Sequence, residues 1–507
     1  MTKHPHSRLR SVLPTLTALA ALAIVWAPST VRSAELAAEE PAAERTAQQA
    51  PKQSAPQPHW FDAFRASATD DELLRFLHAM PKGGDLHNHI SGSVHPEWFL
   101  ELALAAPADG YNYFTKTRID NCRYGSNEYG PAPYLLLFRT IPEHAWQALS
   151  DCERGEYERM EDLDAAEREA WLSALRLDLE HEGRAEFFEA LWSRIGGLLR
   201  NPHLTADMIV RNLQAFGDEN LMYLEAQVPL MGFQTPAGDP ISPDAVLELY
   251  RQRFAEADAV ASGVTLRMQL TLLRFAPNAE ATLRGLYAFA ARHPEIVAIN
   301  FAGREDNDKG HPLRFLETLR DLRREHSGVR LSIHAGEVDA PSRVVRETLL
   351  LGAERIGHGL NLITDPDTML LMRGGPALVE INLISNLLLE YVDDYSQHPF
   401  PEYLRFGIPV ALSTDDRGMW DSTMSDEFFV AVKEFGLTWD EVVQLSRNSL
   451  AYSFLEEPLK RELLRRFETR IESFEAQFRR GGLPAVATGE PQYRGFLCRR
   501  YAVCAPG

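Results

Sequence analysis

Short apolar runs alternate with longer amphipathic stretches over the second half of the chain. From Leu221 onward, each apolar run is followed by a stretch with helical periodicity, as in Pro243–Ala261 and Ser342–Leu351. Strands separated by helical crossovers are typical of a parallel sheet. The predicted strands are Leu221–Val228, Thr265–Leu273, Ile296–Gly303, Val329–Glu337, Arg355–Leu362, Leu378–Asn386 and Pro409–Asp416.

One further apolar run, which ends in Leu86–His89, brings the number of predicted βα units to eight. Eight such units favour a closed (β/α)8 barrel, the TIM barrel of the α/β class, over residues 60–480. The alternative is an open doubly wound sheet. Such a sheet often carries a glycine-rich phosphate turn after its first strand, and this chain shows none.

Two segments depart from this alternation. Residues 107–170 interrupt it after the first strand and contain Cys122, Cys152 and many aromatic residues. We expect an insertion that is stapled by a disulfide and lies over the mouth of the barrel. A charged helix is predicted at Glu456–Arg480, and residues 481–507 are expected to form an irregular tail.

The N-terminus has the pattern of a secretory signal. Three basic residues within the first ten positions precede an apolar run, Val12–Trp26, and the small residues Ser33 and Ala34 follow as the expected cleavage site. The pattern predicts a signal peptide over residues 1–34 and export to the periplasm or the extracellular space. An uncleaved anchor is the alternative, but the run is shorter than the roughly 20 residues that a spanning helix needs. Residues 35–59, rich in Ala, Glu, Gln and Pro, are expected to be a disordered linker.

The cysteine count fits an exported chain. Four cysteines, an even number, favour two disulfides in an oxidising compartment. Pairing between neighbours in the sequence is the simplest connectivity, although three connectivities are open and four free thiols are the alternative. The four are Cys122, Cys152, Cys498 and Cys504.

Composition and charge limit the partners. With 45% hydrophobic and 24% charged residues, the chain can bury a globular core. Its net charge of −20 argues against a nucleic-acid polymer as a partner, because an acidic surface repels phosphate backbones. A small uncharged ligand is not disfavoured. Apart from the predicted signal, no segment is long and apolar enough to cross a membrane, so no stable membrane association is expected after cleavage.

Histidines and a carboxylate lie at the ends of several predicted strands. His87 and His89 are two residues apart, a spacing that points both rings to the same side of a strand. His334, His358 and Asp415 each follow apolar residues near the ends of later strands. Buried polar groups of this kind are costly unless they are paired, and a shared metal ion resolves the cost. Imidazole suits zinc, so the pattern predicts a metal site at the C-terminal mouth of the barrel.

The residues that carry this pattern lie in four segments, namely Met80–His89, Ile333–Glu337, Arg355–Gly359 and Ser413–Asp416. In this order they resemble the adenosine deaminase family of the metal-dependent amidohydrolases. The resemblance covers residues 70–478, which is most of the chain after the predicted signal.

Within that family, the chain looks closest to the secreted adenosine deaminase-related growth factors. The export signal, the cysteine-bearing insertion, the Ile384–Asn386 segment and the pair His398 and Pro399 point to this branch. The long N-terminal dimerisation region of the branch is largely missing here. A homodimer therefore stays open, without the usual region to form it.

The resemblance implies hydrolytic deamination of adenosine and 2′-deoxyadenosine to the inosines, with one zinc ion per chain. Glu337 would protonate ring nitrogen N1, which requires a carboxyl group with a raised pKa. His358 would orient the attacking water and help to deprotonate it. The implied zinc ligands are His87, His89, His334 and Asp415.

The resemblance also implies a binding site for the purine nucleoside. Asp416 would hydrogen-bond N7, and the backbone N–H of Gly303 would meet N3; the alternatives are a supporting carboxylate and a turn glycine. Many relatives carry an aspartate against the ribose where this chain has Ser91, whose hydroxyl can still bond a sugar. Arg417 stands where many relatives have proline; it is expected to face solvent, and attraction of a phosphate is the alternative. Lys82 is open to interpretation as a solvated surface charge.

Other functions remain as alternatives. Adenine, a modified adenosine or AMP are alternative substrates, and a nucleotide would need a basic subsite that these motifs do not show. A catalytically silent nucleoside-binding or signalling protein is a second class, but every expected catalytic position is filled. A third alternative is a different barrel hydrolase, which cleaves an amide or a phosphoester. Such enzymes often use two metals bridged by a carbamylated lysine. No lysine lies at a strand end beside these motifs, so a mononuclear site fits better.

Overall fold

A parallel eight-stranded sheet lies at the centre of the described part of the chain. The computed structural model describes residues 59–122, 126–127, 130–131, 135–305, 307–487 and 489–505. The predicted signal peptide and the linker up to residue 58 lie outside the described residues. The strands follow one another around the sheet in chain order, which confirms the predicted (β/α)8 barrel. They are β1 (Lys82–His89), β2 (Leu221–Val228), β3 (Thr265–Leu273), β4 (Ile296–Ala302), β5 (Arg330–Ala335), β6 (Arg355–His358), β7 (Leu378–Ile381) and β8 (Val410–Leu412).

The first and last strands close the barrel at the level of the motifs. Asn88 forms a parallel bridge with Asp415, which lies just beyond β8. The N–H of His89 donates to the carbonyl of Asp415 at 3.1 Å, and the N–H of Asp415 donates to the carbonyl of His87 at 2.9 Å. Barrel closure and the placement of three predicted ligands therefore depend on the same backbone hydrogen bonds.

Several strands end earlier than the apolar runs suggest. β2 and β3 have the predicted bounds, but β6 ends at His358, β7 at Ile381 and β8 at Leu412. The backbone φ angles of His358 and Asp415 are +62° and +55°. This left-handed conformation ends an extended strand. At His358, the last residue of β6, and at Asp415, just beyond β8, the chain therefore turns from the strand direction into loops at one end of the barrel.

Helices link the strands and pack outside them. The amphipathic stretch Pro243–Ala261 forms two helices, broken before Ala257, and the predicted helix Ser342–Leu351 begins at Val344. Within the described ranges, no helix combines the length and hydropathy needed to span a membrane. Helices of eight or more residues are Trp60–Ser67, Asp70–Ala79, Pro96–Ala105, Ala165–Ser173, Pro202–Asp218, Pro243–Phe254, Ala279–Ala290, Leu316–Glu325, Met424–Phe435, Trp439–Ala451 and Glu457–Gly481. Shorter α-helices are Ile90–Ser93, Glu143–Gln147, Asp151–Arg154, Arg184–Glu186, Trp192–Ile195, Ala257–Ala261, Val344–Leu350, Pro366–Met372, Leu383–Leu388, Phe400–Phe406, Arg417–Trp420 and Gly495–Tyr501.

The insertion after β1 contains a small antiparallel sheet. Its central strand, Tyr113–Lys116, pairs with Thr140–Pro142 on one side and Tyr157–Arg159 on the other. A disulfide joins Cys122 to Cys152, as predicted. A separate apolar cluster, formed by Phe114, Ile141 and Tyr157, stabilises this sheet.

The C-terminal segment is more ordered than the sequence suggests. Residues 481–507 were expected to be irregular, yet they contain the helix Gly495–Tyr501, closed by the second predicted disulfide between Cys498 and Cys504. Asp421, after β8, accepts the N–H of Gly495 at 3.0 Å through its carboxylate. Burial of apolar side chains in this helix explains the order that composition alone does not indicate.

Two cations expected at the surface are buried. The Nζ of Lys82 donates to the carbonyl oxygens of Leu77 at 2.6 Å and Glu219 at 2.7 Å, and the side chain is fully buried. Arg417, also fully buried, pairs with the Glu219 carboxylate at 2.9 Å and lies over the Phe216 ring at 3.8 Å. The expectation that Arg417 faces solvent was wrong because its partner Glu219 lies 198 positions earlier in the chain. Lys82 can be buried because backbone carbonyl oxygens satisfy its ammonium group.

We predict that Arg417→Ala lowers the free energy of unfolding by about 3–5 kcal/mol, because the Glu219 carboxylate loses its buried partner. Urea denaturation followed by circular dichroism measures the change. Lys433→Ala is the control: its ion pair with Asp70 is partly exposed, so we expect a loss below about 1 kcal/mol. Equal losses in the two variants would contradict the assigned role of the Arg417 pair.

Candidate active site

Four side chains from opposite ends of the sequence converge at the barrel mouth. Their ligand atoms all lie within 4.8 Å of one another. The Nε2 atoms of His89 and His334 are 3.1 Å apart. The Oδ1 of Asp415 lies 3.2 Å from the Nε2 of His89 and 3.3 Å from the Nε2 of His87. The structure therefore brings together all four predicted ligands, from β1, β5 and the loop after β8.

The arrangement of these atoms fits a bound cation. Two imidazole nitrogens that face each other at 3.1 Å, beside a carboxylate, share one small space. The Nε2 of His87 is buried and makes no hydrogen bond within the described part of the chain. Such groups are stable together when their lone pairs coordinate a shared cation. Three imidazoles and one carboxylate are a donor set that suits zinc.

A buried carboxylate holds the ring of His87 in place. Glu380, on β7, lies with its Oε2 2.7 Å from the Nδ1 of His87. Arg355 neutralises Glu380 at 2.9 Å, and the hydroxyl of Ser332 donates to the same carboxylate at 3.0 Å. Because Nδ1–H donates to Glu380, the Nε2 of His87 is left free as a ligand atom. We did not identify Glu380 from the sequence, although a glutamate inside the apolar run of β7 was the available signal.

Glu337 lies beside this cluster in a buried position after β5. Burial raises the pKa of its carboxyl well above the usual range, and the nearby carboxylates of Asp415 and Glu305 raise it further. Glu305 accepts the backbone N–H of Glu337 at 3.3 Å. The Nε2 of His358 is 3.8 Å from the Oε2 of Glu337. A carboxyl group kept protonated in this way can donate a proton to a bound ring.

A cavity of about 490 Å³ opens from the cluster. The predicted substrate residues Ser91, Gly303 and Asp416 all line it. Burial raises the pKa of Asp416 well above the usual range, and Asp415 adds to the effect. Gly303 has a φ of +98°, and a Cβ there would come within 2.6 Å of the Phe275 ring. A side chain is therefore excluded at Gly303 both by conformation and by space.

Aromatic residues that follow the insertion form one wall of the cavity. Phe187 and Phe188, in a π-helical turn, and Trp192 line the space. Among the described residues, no lining residue belongs to the predicted insertion at 107–170. The expected cover over the mouth is therefore formed by these three aromatic residues instead of by the insertion. The mouth is apolar, with Met231 and Leu273 half exposed at its edge.

Comparisons with known proteins agree with this geometry. The family model "Adenosine deaminase" matches residues 162–470. The chain belongs to the adenosine deaminase family. The relatives in this family are named for different substrates. Membership therefore establishes the fold and a family of deaminases, but it does not select one purine.

Three relatives illustrate this range. An adenine deaminase of Chelativorans sp. (strain BNC1) is 30% identical over 235 residues, 46% of this chain and 70% of that protein. Human adenosine deaminase 2 is 24% identical over 435 residues, 83% of each chain. A structure of Arabidopsis ADAL complexed with IMP has a TM-score of 0.57 at 20% identity, and covers 79% of this chain and 99% of that one. This last likeness shows the fold alone.

We predict that Glu380→Gln lowers the affinity for metal about 10- to 100-fold, because the amide supports His87 less well than a carboxylate does. Chelator competition followed by metal analysis measures this without any assay of turnover. Glu402→Gln, on an exposed helix face, is the matched control and should bind metal normally. Normal metal affinity in Glu380→Gln would remove Glu380 from the support of the site.

Proposed function

We propose that the chain is a zinc-dependent deaminase that hydrolyses adenosine and 2′-deoxyadenosine to inosine and 2′-deoxyinosine with release of ammonia. The observation that supports this best is the convergence of three imidazoles and Asp415 beside the buried Glu337, whose carboxyl pKa is raised by burial, in one cavity. Displacement of ammonia from a purine needs a nucleophile at the amino-bearing carbon and a proton on the ring. Both requirements can be met at this site.

The four converging ligands would hold one zinc ion, and Asp415 completes the set that the histidines begin. Bound zinc would supply a Lewis acid that lowers the pKa of water toward about 7. Glu337 would give its proton to ring nitrogen N1, so that N1 can take up the electron pair displaced when the nucleophile adds at C6. Its raised pKa, set first by burial, keeps that proton available at neutral pH.

The same cavity offers partners for the rest of the purine. Asp416, with its raised pKa, would donate a hydrogen bond to N7; its Oδ1 is buried and makes no hydrogen bond in the described structure. The backbone of Gly303 would approach N3, since no side chain intervenes. Ser91 would meet a sugar hydroxyl. Apolar walls such as Leu270 and Phe275 would cover the ring faces.

The charge of the cavity favours a nucleoside over a nucleotide. No lysine or arginine lines it among the described residues, whereas Glu337, Asp415 and Asp416 do. A phosphate would therefore lose its hydration without gaining a cation. The cavity also extends beyond the metal cluster to Met231 and Leu273, which leaves room for a group on N9. Adenine is the second candidate, because the apolar mouth does not demand a sugar and the Chelativorans relative is named for that base.

Export of the chain is also part of the proposal. Both predicted cysteine pairs form disulfides, Cys122 with Cys152 and Cys498 with Cys504. Disulfides persist in oxidising compartments, which supports the periplasm or the extracellular space.

We predict that Glu337→Gln retains the fold and the bound metal but lowers kcat for adenosine at least about 100-fold, because the amide cannot supply the proton. The fall in ultraviolet absorbance as adenosine is converted measures turnover, and metal analysis checks the site. Glu317→Gln is the control; its side chain is 80% exposed on an outer helix, so turnover should be unchanged. Turnover near that of the wild type in Glu337→Gln would refute the assigned proton donor.

A further inference from the structure

Two buried polar residues after β7 have no part in the chemistry described so far. Asn386 lies in the helix Leu383–Leu388, and His398 lies just before the helix Phe400–Phe406. Asn386 is 0% exposed and His398 is 2% exposed. Buried polar side chains are costly unless they are satisfied, so their hydrogen bonds indicate what they do.

The hydrogen bonds begin at the backbone, which fixes the first ring. The N–H of Phe400 donates to the Nδ1 of His398 at 3.1 Å. A backbone amide nitrogen can only donate, so this Nδ1 accepts and carries no proton. Burial lowers the pKa of His398 to about 3, so the ring is neutral. The proton of the neutral ring is therefore on Nε2.

The amide of Asn386 is oriented by that proton. The Nε2 of His398 lies 3.1 Å from the Oδ1 of Asn386, so the ring donates to the amide oxygen. The NH2 group of Asn386 then points the other way, and its Nδ2 lies 3.0 Å from the Nδ1 of His358. Asn382 places a second amide nitrogen nearer to this Nδ1, at 3.3 Å, than to the Nε2, at 3.5 Å.

The direction of these bonds determines the state of His358. An NH2 group donates, so the Nδ1 of His358 must accept. An accepting Nδ1 carries no proton, so the ring is neutral. Its single proton is then on Nε2, the atom 3.8 Å from the carboxyl of Glu337. The rings of His87 and His334 are close to the His358 ring, with centroids 5.0 Å and 5.2 Å away from its centroid.

Building on the proposed deamination, we propose that Asn386 and His398 are positioning residues that hold neutral His358 in the tautomer with its proton on Nε2. His358 then meets the oxygen of the attacking water as a hydrogen-bond donor. In this tautomer it does not accept the proton of that water, which differs from the role implied by the family resemblance. The contacts of Asn386 and His398 thus give a function to two segments that the sequence singled out without assigning one.

The direct test is the tautomer itself. Nitrogen NMR of the full chain, labelled with ¹⁵N-histidine, distinguishes a protonated Nε2 from a protonated Nδ1, and His358→Gln identifies the signal. We expect wild-type His358 to carry its proton on Nε2. In Asn386→Asp the carboxylate accepts from both rings, so His358 should carry its proton on Nδ1 instead. A wild-type His358 with its proton on Nδ1 would overturn the proposal.

Kinetics with adenosine separate positioning from a merely structural role. For Asn386→Asp we expect kcat to fall at least about 100-fold, as for other misplaced catalytic tautomers, while KM changes little. Asn448→Asp is the matched control: this buried asparagine donates to the carbonyl of Val410 at 2.8 Å, outside the cavity. It should alter neither the tautomer nor kcat. An inverted tautomer with normal kcat in Asn386→Asp would also overturn the proposal.

A second pair of variants covers the case in which Asn386→Asp does not fold. His398→Gln keeps an N–H that can donate to Asn386, and should retain kcat and the tautomer. His398→Phe has no donor, and should lose both; retention of both would overturn the proposal. The NMR measurement needs no substrate. A wild-type protein that deaminates no adenine compound would therefore refute the proposed function, while the tautomer could still be read.

Discussion

The closure of the barrel between its first and last strands is the constraint on which the site depends. Two backbone hydrogen bonds join His87 and His89 to Asp415, and these residues carry three of the four converging ligand groups. A change in register at this seam would turn the side chains to the other face of the strand and separate the ligands. The positive φ of Asp415 belongs to the same constraint, because it directs the carboxylate back across the mouth.

Charge inside the barrel is arranged in two layers. Toward the bottom, Arg355 lies between Glu225 and Glu380, and all three side chains are fully buried. Above them, Glu380 contacts the ring of His87. At the mouth, burial raises the pKa of Glu337, and the nearby carboxylates of Asp415 and Glu305 raise it further. A cation at the ligand cluster would balance the charge of the ionised Asp415. The same low-dielectric surroundings thus favour metal binding and a proton donor at neighbouring positions.

The fold could be predicted from the sequence because the apolar runs mark the strands. The set of His87, His89, His334 and Asp415 was predicted from the resemblance of four short segments to the adenosine deaminase family. Interactions across the barrel could not be predicted. The support of His87 by Glu380 spans 293 positions, and the burial of Arg417 depends on Glu219, 198 positions away. The helix in the C-terminal segment depends on contacts with Asp421, which composition does not show.

Family, fold and cavity narrow the substrate to different degrees. Family membership establishes a deaminase family, and the absence of lysine and arginine from the described lining of the cavity favours a nucleoside over a nucleotide. The most direct measurement is the fall in ultraviolet absorbance of adenosine and 2′-deoxyadenosine with the purified protein, with a chelator and after zinc is restored, beside adenine and AMP. The account predicts conversion of both nucleosides to the inosines, lost with the chelator and recovered with zinc. Metal-loaded protein that leaves both nucleosides unchanged, or turnover that survives complete metal removal, would contradict it.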